Sequence, residues 1–232
     1  MTKKFHIVTS FNKKGFEKYG KNFIESFDSD DVHVYIGSED DIKQFPTKKN
    51  LSYFSISNQL ARNLWGQLVS KLPENLIKSY QFQAHKFCYK VIALNHHKDL
   101  PDADYRVWID ADVIFKKKIN ADDLLKICEG NDLTYLGRKY YWYSECGFLI
   151  FKLNDFGRLF LYRWLWFFQT GRLAILPEWH DSYIFDHVLK EFNNPKIKNL
   201  SESFDVRDVW EKTILAEYMT HLKGSLKNEY FI

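Results

Sequence analysis

Two carboxylates two residues apart, Asp110 and Asp112, interrupt the apolar run Tyr105-Arg106-Val107-Trp108-Ile109-Asp110-Ala111-Asp112-Val113-Ile114-Phe115. Along an extended chain successive side chains alternate faces, so both acids are expected on one side and Ala111 on the other. Left alone, they repel. A divalent cation relieves that repulsion, and a hard ion such as Mg2+ or Mn2+ accepts carboxylate oxygens while keeping positions open for water and for the phosphates of a substrate. The pattern by itself is not selective, because Asp28-Ser29-Asp30 and Asp102-Ala103-Asp104 repeat it in polar connections, where Asp favours turns and caps by bonding local backbone. Only Asp110 and Asp112 end a strand of buried character, and open α/β sheets bind ligands at the carboxyl ends of strands. A second concentration of titratable groups, Glu178-Trp179-His180-Asp181-Ser182, follows Pro177. An acid at the head of a helix there can cap free N–H groups, hydrogen-bond a sugar or take a proton.

The elements that must carry these groups follow from hydrophobic period. Residues 4–9 read as a first strand, 15–27 as a helix with Phe16, Tyr19, Phe23 and Phe27 at helical spacing, and 32–36 as the next strand. This opening predicts a parallel pair with a right-handed crossover, with Thr9, Ser10 and Phe11 at the carboxyl end of the first strand, either meeting a nucleotide base or forming an ordinary βα loop. From 58 to 97 the pattern is helical, with Pro73 and Asn75 marking the start of the second of two helices. Lys86 and Lys90 are four apart and share a helix face, where a solvated lysine pair is the commoner outcome and a joint reach to a diphosphate or a sugar the functional one. Beyond the solvated Lys116-Lys117-Lys118, a short helix is expected over 122–128 and strands over 132–136 and 140–143. In 144–151 a small, tight segment containing Glu145 opens onto an apolar strand, and Gly147 permits close backbone approach there. Residues 156–169 form a strongly aromatic helix with Asp155 as cap and Gly171 as stop. Burial is its default, and an exposed aromatic face for an acceptor or a membrane surface is the alternative. A last helix is expected over 182–190 with Asp181 at its cap. The fold class is α/β, one domain over 1–232 with a mostly parallel central sheet flanked by helices.

Composition narrows the functions. An aromatic content of 18% speaks for a large core and stacking surfaces. The net charge of +3 is mild and lysines are scattered, so the basic stripe of a nucleic-acid binder is absent. Cys88, Cys128 and Cys146 are odd in number and lack C-x-x-C spacing, which supports neither a disulfide framework nor a zinc cluster and points to a reducing, cytoplasmic setting. No stretch approaches the roughly 20 apolar residues of a membrane-spanning helix. The amino-terminal Met1-Thr2-Lys3-Lys4 leads into a strand without the apolar core of a signal peptide.

In their order these features resemble the GT-A (Rossmann-like) glycosyltransferases, and within them the glycogenin-like and galactosyltransferase-like group called family 8. The opening β-α-β, Asp110-Ala111-Asp112 at the end of a central strand, Glu145-Cys146-Gly147-Phe148 before an acceptor-side strand, and His180-Asp181-Ser182 at a helix head are similar to that family's motifs. Near the carboxyl end the family carries H-x-x-G-x-x-K, a spacing that His221, Gly224 and Lys227 fit. The resemblance implies a nucleotide-binding half over 1–115, and an acceptor half with a metal-binding tail over 116–232. It implies Mn2+ or Mg2+ on Asp110, Asp112 and His221, with the imidazole favouring Mn2+, and diphosphate contacts from Gly224 and Lys227. Sugar transfer from a nucleoside diphosphate sugar to the hydroxyl of a carbohydrate, glycolipid or glycoprotein acceptor is then the expected function. Asp181 is the first candidate for catalysis, with Glu178 and Glu145 as the other carboxylates. Two departures bear on stereochemistry: Asn228-Glu229 stands where Pro-Trp is common, and Asp181-Ser182 where the family has an acid and an amide. The alternatives are a sugar-phosphate nucleotidylyltransferase, disfavoured by the single glycine in Thr9-Ser10-Phe11-Asn12-Lys13-Lys14-Gly15, and a noncatalytic carbohydrate- or nucleotide-binding module.

Overall fold

The computed structural model describes residues 3–139, 143–202, 204, 206 and 208–222. The first strand, β1 (Phe5–Ser10), is buried along both faces, as a central parallel strand covered by helices must be. Asn12 accepts from the Gly15 amide (2.9 Å) and so starts a helical arm of α1 (Lys13–Gly15), a π-helical stretch Phe16–Gly20 and α2 (Lys21–Ser26). The chain then forms β2 (His33–Ser38) and β3 (Leu51–Ser55). Strand β3 went unread in the sequence because it lies at the sheet edge with only Phe54 buried, and its serines break the apolar run. The helical region after it is more fragmented than the two helices expected. It comprises α3 (Gln59–Gln67), α4 (Glu74–Ile77) headed by Pro73, and α5 (Ala84–Leu94), with single 3-10 turns at Val69–Lys71 and Tyr80–Phe82.

Strand β4 (Tyr105–Ile109), the short β5 (Val113–Phe115), α6 (Ala121–Cys128), β6 (Leu133–Leu136) and β7 (Glu145–Lys152) follow. Of the strand expected over 140–143, Tyr140, Tyr141 and Trp142 lie outside the described residues, and Tyr143 is irregular. Helix α7 (Asp155–Gln169) is capped by Asn154, which accepts from the Gly157 amide (3.0 Å), and not by Asp155. Then come α8 (Asp181–Leu189), β8 (Ile197–Asn199), α9 (Leu215–Tyr218) and β9 (Met219–His221).

Seven strands make one sheet in the order β3-β2-β1-β4-β7-β6-β8, while β5 and β9 pair separately. The pairings β3-β2, β2-β1, β1-β4 and β6-β8 are parallel, and β7 runs antiparallel to both β4 and β6. The mostly parallel α/β sheet expected from the sequence is therefore present. Alternation along β4 divides the core: Tyr105, Val107 and Ile109 join the side that packs Phe23, Phe27 and Ile127, and Trp108 joins the side that packs Val91, Trp164 and Phe185. Each fully buried side chain of this size contributes roughly 1.5–3 kcal/mol by leaving water.

His6 on β1 is buried with its Nδ1 unpartnered among the described residues. Burial, and then Lys4 and Arg106, push its pKa down to about 4. The unfolded chain takes up a proton near about pH 6.5 that the folded chain refuses until about pH 4, so stability is lost as pH falls through that window. Urea unfolding should therefore give about 2 kcal/mol less stability from this group at about pH 5 than at about pH 7.5. In His6→Leu that slope should shrink, and an equal slope in variant and parent would remove His6 as its source.

Candidate functional site

Strand β4 stops at Ile109, and the amide of Val113 bonds the carbonyl of Asp110 (3.2 Å) to close a turn. Asp110 and Asp112 thus sit in a turn and not on an extended strand, so the alternation expected from the sequence does not bring them together. Pairing with distant segments does. The Asp110 amide donates to the Gly147 carbonyl of β7 (2.8 Å), and the Leu222 amide donates to the Asp112 carbonyl (2.9 Å). Register Val113↔His221 in the β5-β9 pair sets the imidazole over the turn. His221 Nε2 lies 3.0 Å from Asp112 Oδ1 and 3.9 Å from Asp110 Oδ2. One ligand atom from each of the three residues falls within 4.8 Å of the others. Two carboxylates and an imidazole so disposed suit a divalent cation, with coordination positions left for a ligand.

Gly147 makes room for that imidazole. A Cβ there would lie 2.8 Å from His221 Cε1 and 3.2 Å from Glu145 Oε1. On its other face the ring rests on Trp210, 4.9 Å between centroids, and the Trp210 indole donates to the Met219 carbonyl (3.2 Å). Burial alone would lower the His221 pKa, but the hydrogen bond and charge of Asp112, then Asp110 and Glu145, hold it above the ordinary histidine value. Asp110 is pushed up by burial and by Asp112, against the pull of Lys90 and His221. Its Oδ1 accepts from the Trp108 indole (2.6 Å).

The sequence left Lys90 either solvated or reaching a diphosphate beside Lys86, and the structure gives it another task. Its ammonium is buried and donates to Asp181 Oδ2 (2.5 Å) and to the Cys146 carbonyl (2.8 Å), with Asp110 Oδ1 at 3.2 Å. Burial would lower its pKa, yet Asp110 and Asp181 hold it well above the ordinary lysine value. Lys86 stays exposed at the cleft and donates to Gln83 Oε1 (2.9 Å). A helical-period reading of α5 holds the missed signal, since Lys90 falls among the buried positions Ala84, Cys88, Val91 and Leu94.

Asp181 is the first residue of α8 and not its cap. His180 caps the helix, its Nδ1 accepting from the Tyr183 amide (3.2 Å), which leaves Nε2 to donate to Glu178 Oε2 (2.8 Å). Glu178 Oε1 accepts from the Tyr143 hydroxyl (3.0 Å). Both oxygens of Glu178 are thus engaged, and the residue is not part of the cleft wall. Glu145 does face the cleft, paired with Arg138 and 4.0 Å from His221 Nδ1.

These groups open on a cleft of about 860 Å³ whose wall includes Tyr80, Lys86, Lys90, Asp110, Ala111, Asp112, Arg138, Glu145, Asp181 and His221. A neighbouring cleft of about 620 Å³ lies over the carboxyl ends of β1 and β2, walled by Ser10, Phe11, Gly37, Glu39, Arg62 and Trp65. Ser10, Tyr19, Lys86 and Tyr89 belong to both, so the two are continuous. Ser10 and Phe11 stand where the sequence put them, whereas Thr9 is fully buried within β1 and reaches neither cleft. Glu39, which accepts from the Tyr89 hydroxyl, Arg62, Trp65 and Arg138 were not singled out, because each is an isolated polar or aromatic residue without a spacing signature. Gly224 and Lys227 lie outside the described residues. No model of a known protein family matches the chain, and no curated protein matches it significantly.

Removing the buried cation should be costly. Lys90→Met leaves Asp181 and Asp110 without their ammonium, and urea unfolding should read a loss of about 3–5 kcal/mol. Lys90→Met with Asp181→Asn should recover part of it, because one stranded charge is gone. A single variant as stable as the parent would show that the pair carries no structural load.

Proposed function

We propose that the chain is a metal-dependent glycosyltransferase of the GT-A type, moving a sugar from a nucleoside diphosphate sugar to an acceptor hydroxyl. The observation that carries this reading is the position of Asp110, Asp112 and His221 in the wall of one of two continuous clefts at the carboxyl ends of parallel strands. One cleft has the size and aromatic wall for a nucleoside, with Phe11 and Trp65 available for stacking and Glu39 and Arg62 for polar contacts. The other has the charge for a diphosphate and a sugar. Mn2+ or Mg2+ held by the three ligands would neutralise the diphosphate and stabilise it as a leaving group.

The remaining roles belong to the chain itself. Lys86 and Arg138 bring positive charge to the cleft wall, and the resemblance adds Gly224 and Lys227 on the diphosphate. Asp181 is anchored by Lys90 with a single oxygen, which suits it to orient sugar hydroxyls and to stabilise positive charge developing at the sugar more than to carry a proton. Glu145, held by Arg138, is the second carboxylate within the same cleft. Three buried free thiols, Cys88, Cys128 and Cys146, support a reducing cytoplasmic setting. Among the described residues no helix is long and apolar enough to cross a membrane. The acceptor that the resemblance implies is a carbohydrate, glycolipid or glycoprotein.

Calorimetry with Mn2+ and a panel of nucleoside diphosphates tests the site. Asp110→Asn and Asp112→Asn should each weaken Mn2+-dependent nucleotide affinity at least about tenfold, and Gly147→Ala should do so by displacing His221. Affinity that ignores Mn2+, or that survives all three changes, would sink the metal assignment. Asp181→Asn should keep nucleotide affinity while slowing transfer and donor hydrolysis, since its contacts are to the sugar. Nucleotide binding by the parent with no hydrolysis or transfer from any donor would instead identify a noncatalytic binding module.

A further inference from the structure

Residues 156–177 contain three arginines and not one Asp, Glu or Lys, in a chain whose charged content is 27% of both signs. The segment is α7 and the turn that follows it. Its inward side, Phe160, Leu161, Trp164, Phe167 and Phe168, is consumed by the core. The outward side, which a solvated helix would fill with polar residues, carries large apolar side chains as well, between Arg158 and Gln169. Six large apolar side chains are exposed among the described residues, and three of them are here: Leu159 at 53%, Tyr162 at 57% and Ile175 at 74%. Half-buried Trp166 continues the Leu159-Tyr162 stripe one turn further, with the guanidinium of Arg163 4.1 Å and that of Arg172 5.8 Å from its ring.

We infer that the outward face of α7, with the Arg172-Ile175 turn, is a docking surface for an anionic lipid bilayer. Leu159, Tyr162 and Ile175 supply the apolar contact at the boundary of the acyl chains, and Tyr and Trp rings favour that depth because one end is apolar and the other wet. Arg158 and Arg172 are exposed and take lipid phosphates, while Arg163 is held by Glu191 (2.6 and 3.0 Å) and stacks on Trp166. Of the acids around the face, Asp155 is exposed one turn before Leu159 at the amino-terminal end of the stripe, beside Arg158, Glu191 pairs with Arg163, and Glu178 accepts from Tyr143 and His180. Charge selects the occupant. A second copy of the chain meeting the same face about a two-fold axis would set Arg158 and Arg172 against their own kind, whereas an anionic surface complements them. Ile175 lies in the connection that enters α8 at Asp181, and Trp179 in that connection bonds the Gln81 carbonyl (2.6 Å) beside Tyr80 at the cleft. A bilayer docked here lies along the chain that leads directly to the cleft, although the docking itself does not depend on the proposed chemistry.

Flotation of the full chain with vesicles tests it, using phosphatidylcholine alone and phosphatidylcholine with about 30% phosphatidylglycerol. The parent should float with the anionic vesicles only, less so as salt is raised. Arg158→Gln and Arg172→Gln should each weaken the partition about fivefold, as expected for one basic side chain at such a surface. Tyr162→Glu and Ile175→Glu should abolish it, while the thermal midpoint and Mn2+ affinity stay those of the parent. The inference is overturned if the parent ignores anionic vesicles, or if all four variants float as it does. A dimer in analytical ultracentrifugation that Tyr162→Glu disperses, without vesicle binding, would overturn it in favour of self-association.

Discussion

One buried ammonium holds four elements together at the site. Lys90 projects from α5 and meets Asp110 after β4, the Cys146 carbonyl of β7 and Asp181 at the head of α8. Burying an ion costs several kcal/mol even after relaxation, and only good geometry with several partners offsets it. Lys90 has that geometry, with two carboxylates and a carbonyl around one Nζ. The result is directional: the turn after β4 and the start of α8 converge on one point.

The second organising contact is the small β5-β9 pair. It carries His221 back across more than a hundred residues to Asp112, and Gly147 leaves the ring space over β7. The carboxylates of the cleft are therefore each met by a nitrogen of the chain itself, Lys90 beneath Asp110 and Asp181, His221 beside Asp112, and Arg138 on Glu145. On the proposed function, a divalent ion held by Asp110, Asp112 and a deprotonated His221 offsets the carboxylates of the cleft and so lets it accept a diphosphate. These contacts explain why the acids are tolerated partly or fully buried next to one another, since each has a lysine, arginine or histidine nitrogen against it.

Aromatic residues divide between two tasks. On one side of the sheet Phe160, Trp164, Phe167, Phe168 and Phe185 build a core around α7 and α8 and so fix where Asp181 can lie. A network around His180 then fixes the head of α8, with Tyr143 and His180 on Glu178 and the Tyr183 amide on His180. Glu178 spends both oxygens there. Its contribution is to orient the helix that carries Asp181, and the acidic cluster legible in the chain resolves into one cleft residue and one scaffold residue.

How much the sequence determined by itself follows from which signals are local. Strands β1, β2, β4 and β7 and helices α6, α7 and α8 could be read because apolar spacing records which side of an element is buried, and that record needs no partner. The mostly parallel sheet followed from the βαβ opening. Asp110, Asp112, Asp181 and Glu145 could be named because acids at the ends of apolar segments are conspicuous. The edge strand β3 and the broken helices before α5 could not be read, since little burial marks the one and short turns interrupt the others. The tertiary structure alone decided how the named residues meet. Asp110 and Asp112 are neighbours through a turn, His221 arrives by strand pairing, and Lys90 gives up solvent for Asp181 ninety-one positions away. Each of these is a long-range contact, whose energy depends on distance and burial in the folded chain and on nothing that a spacing of residues can express.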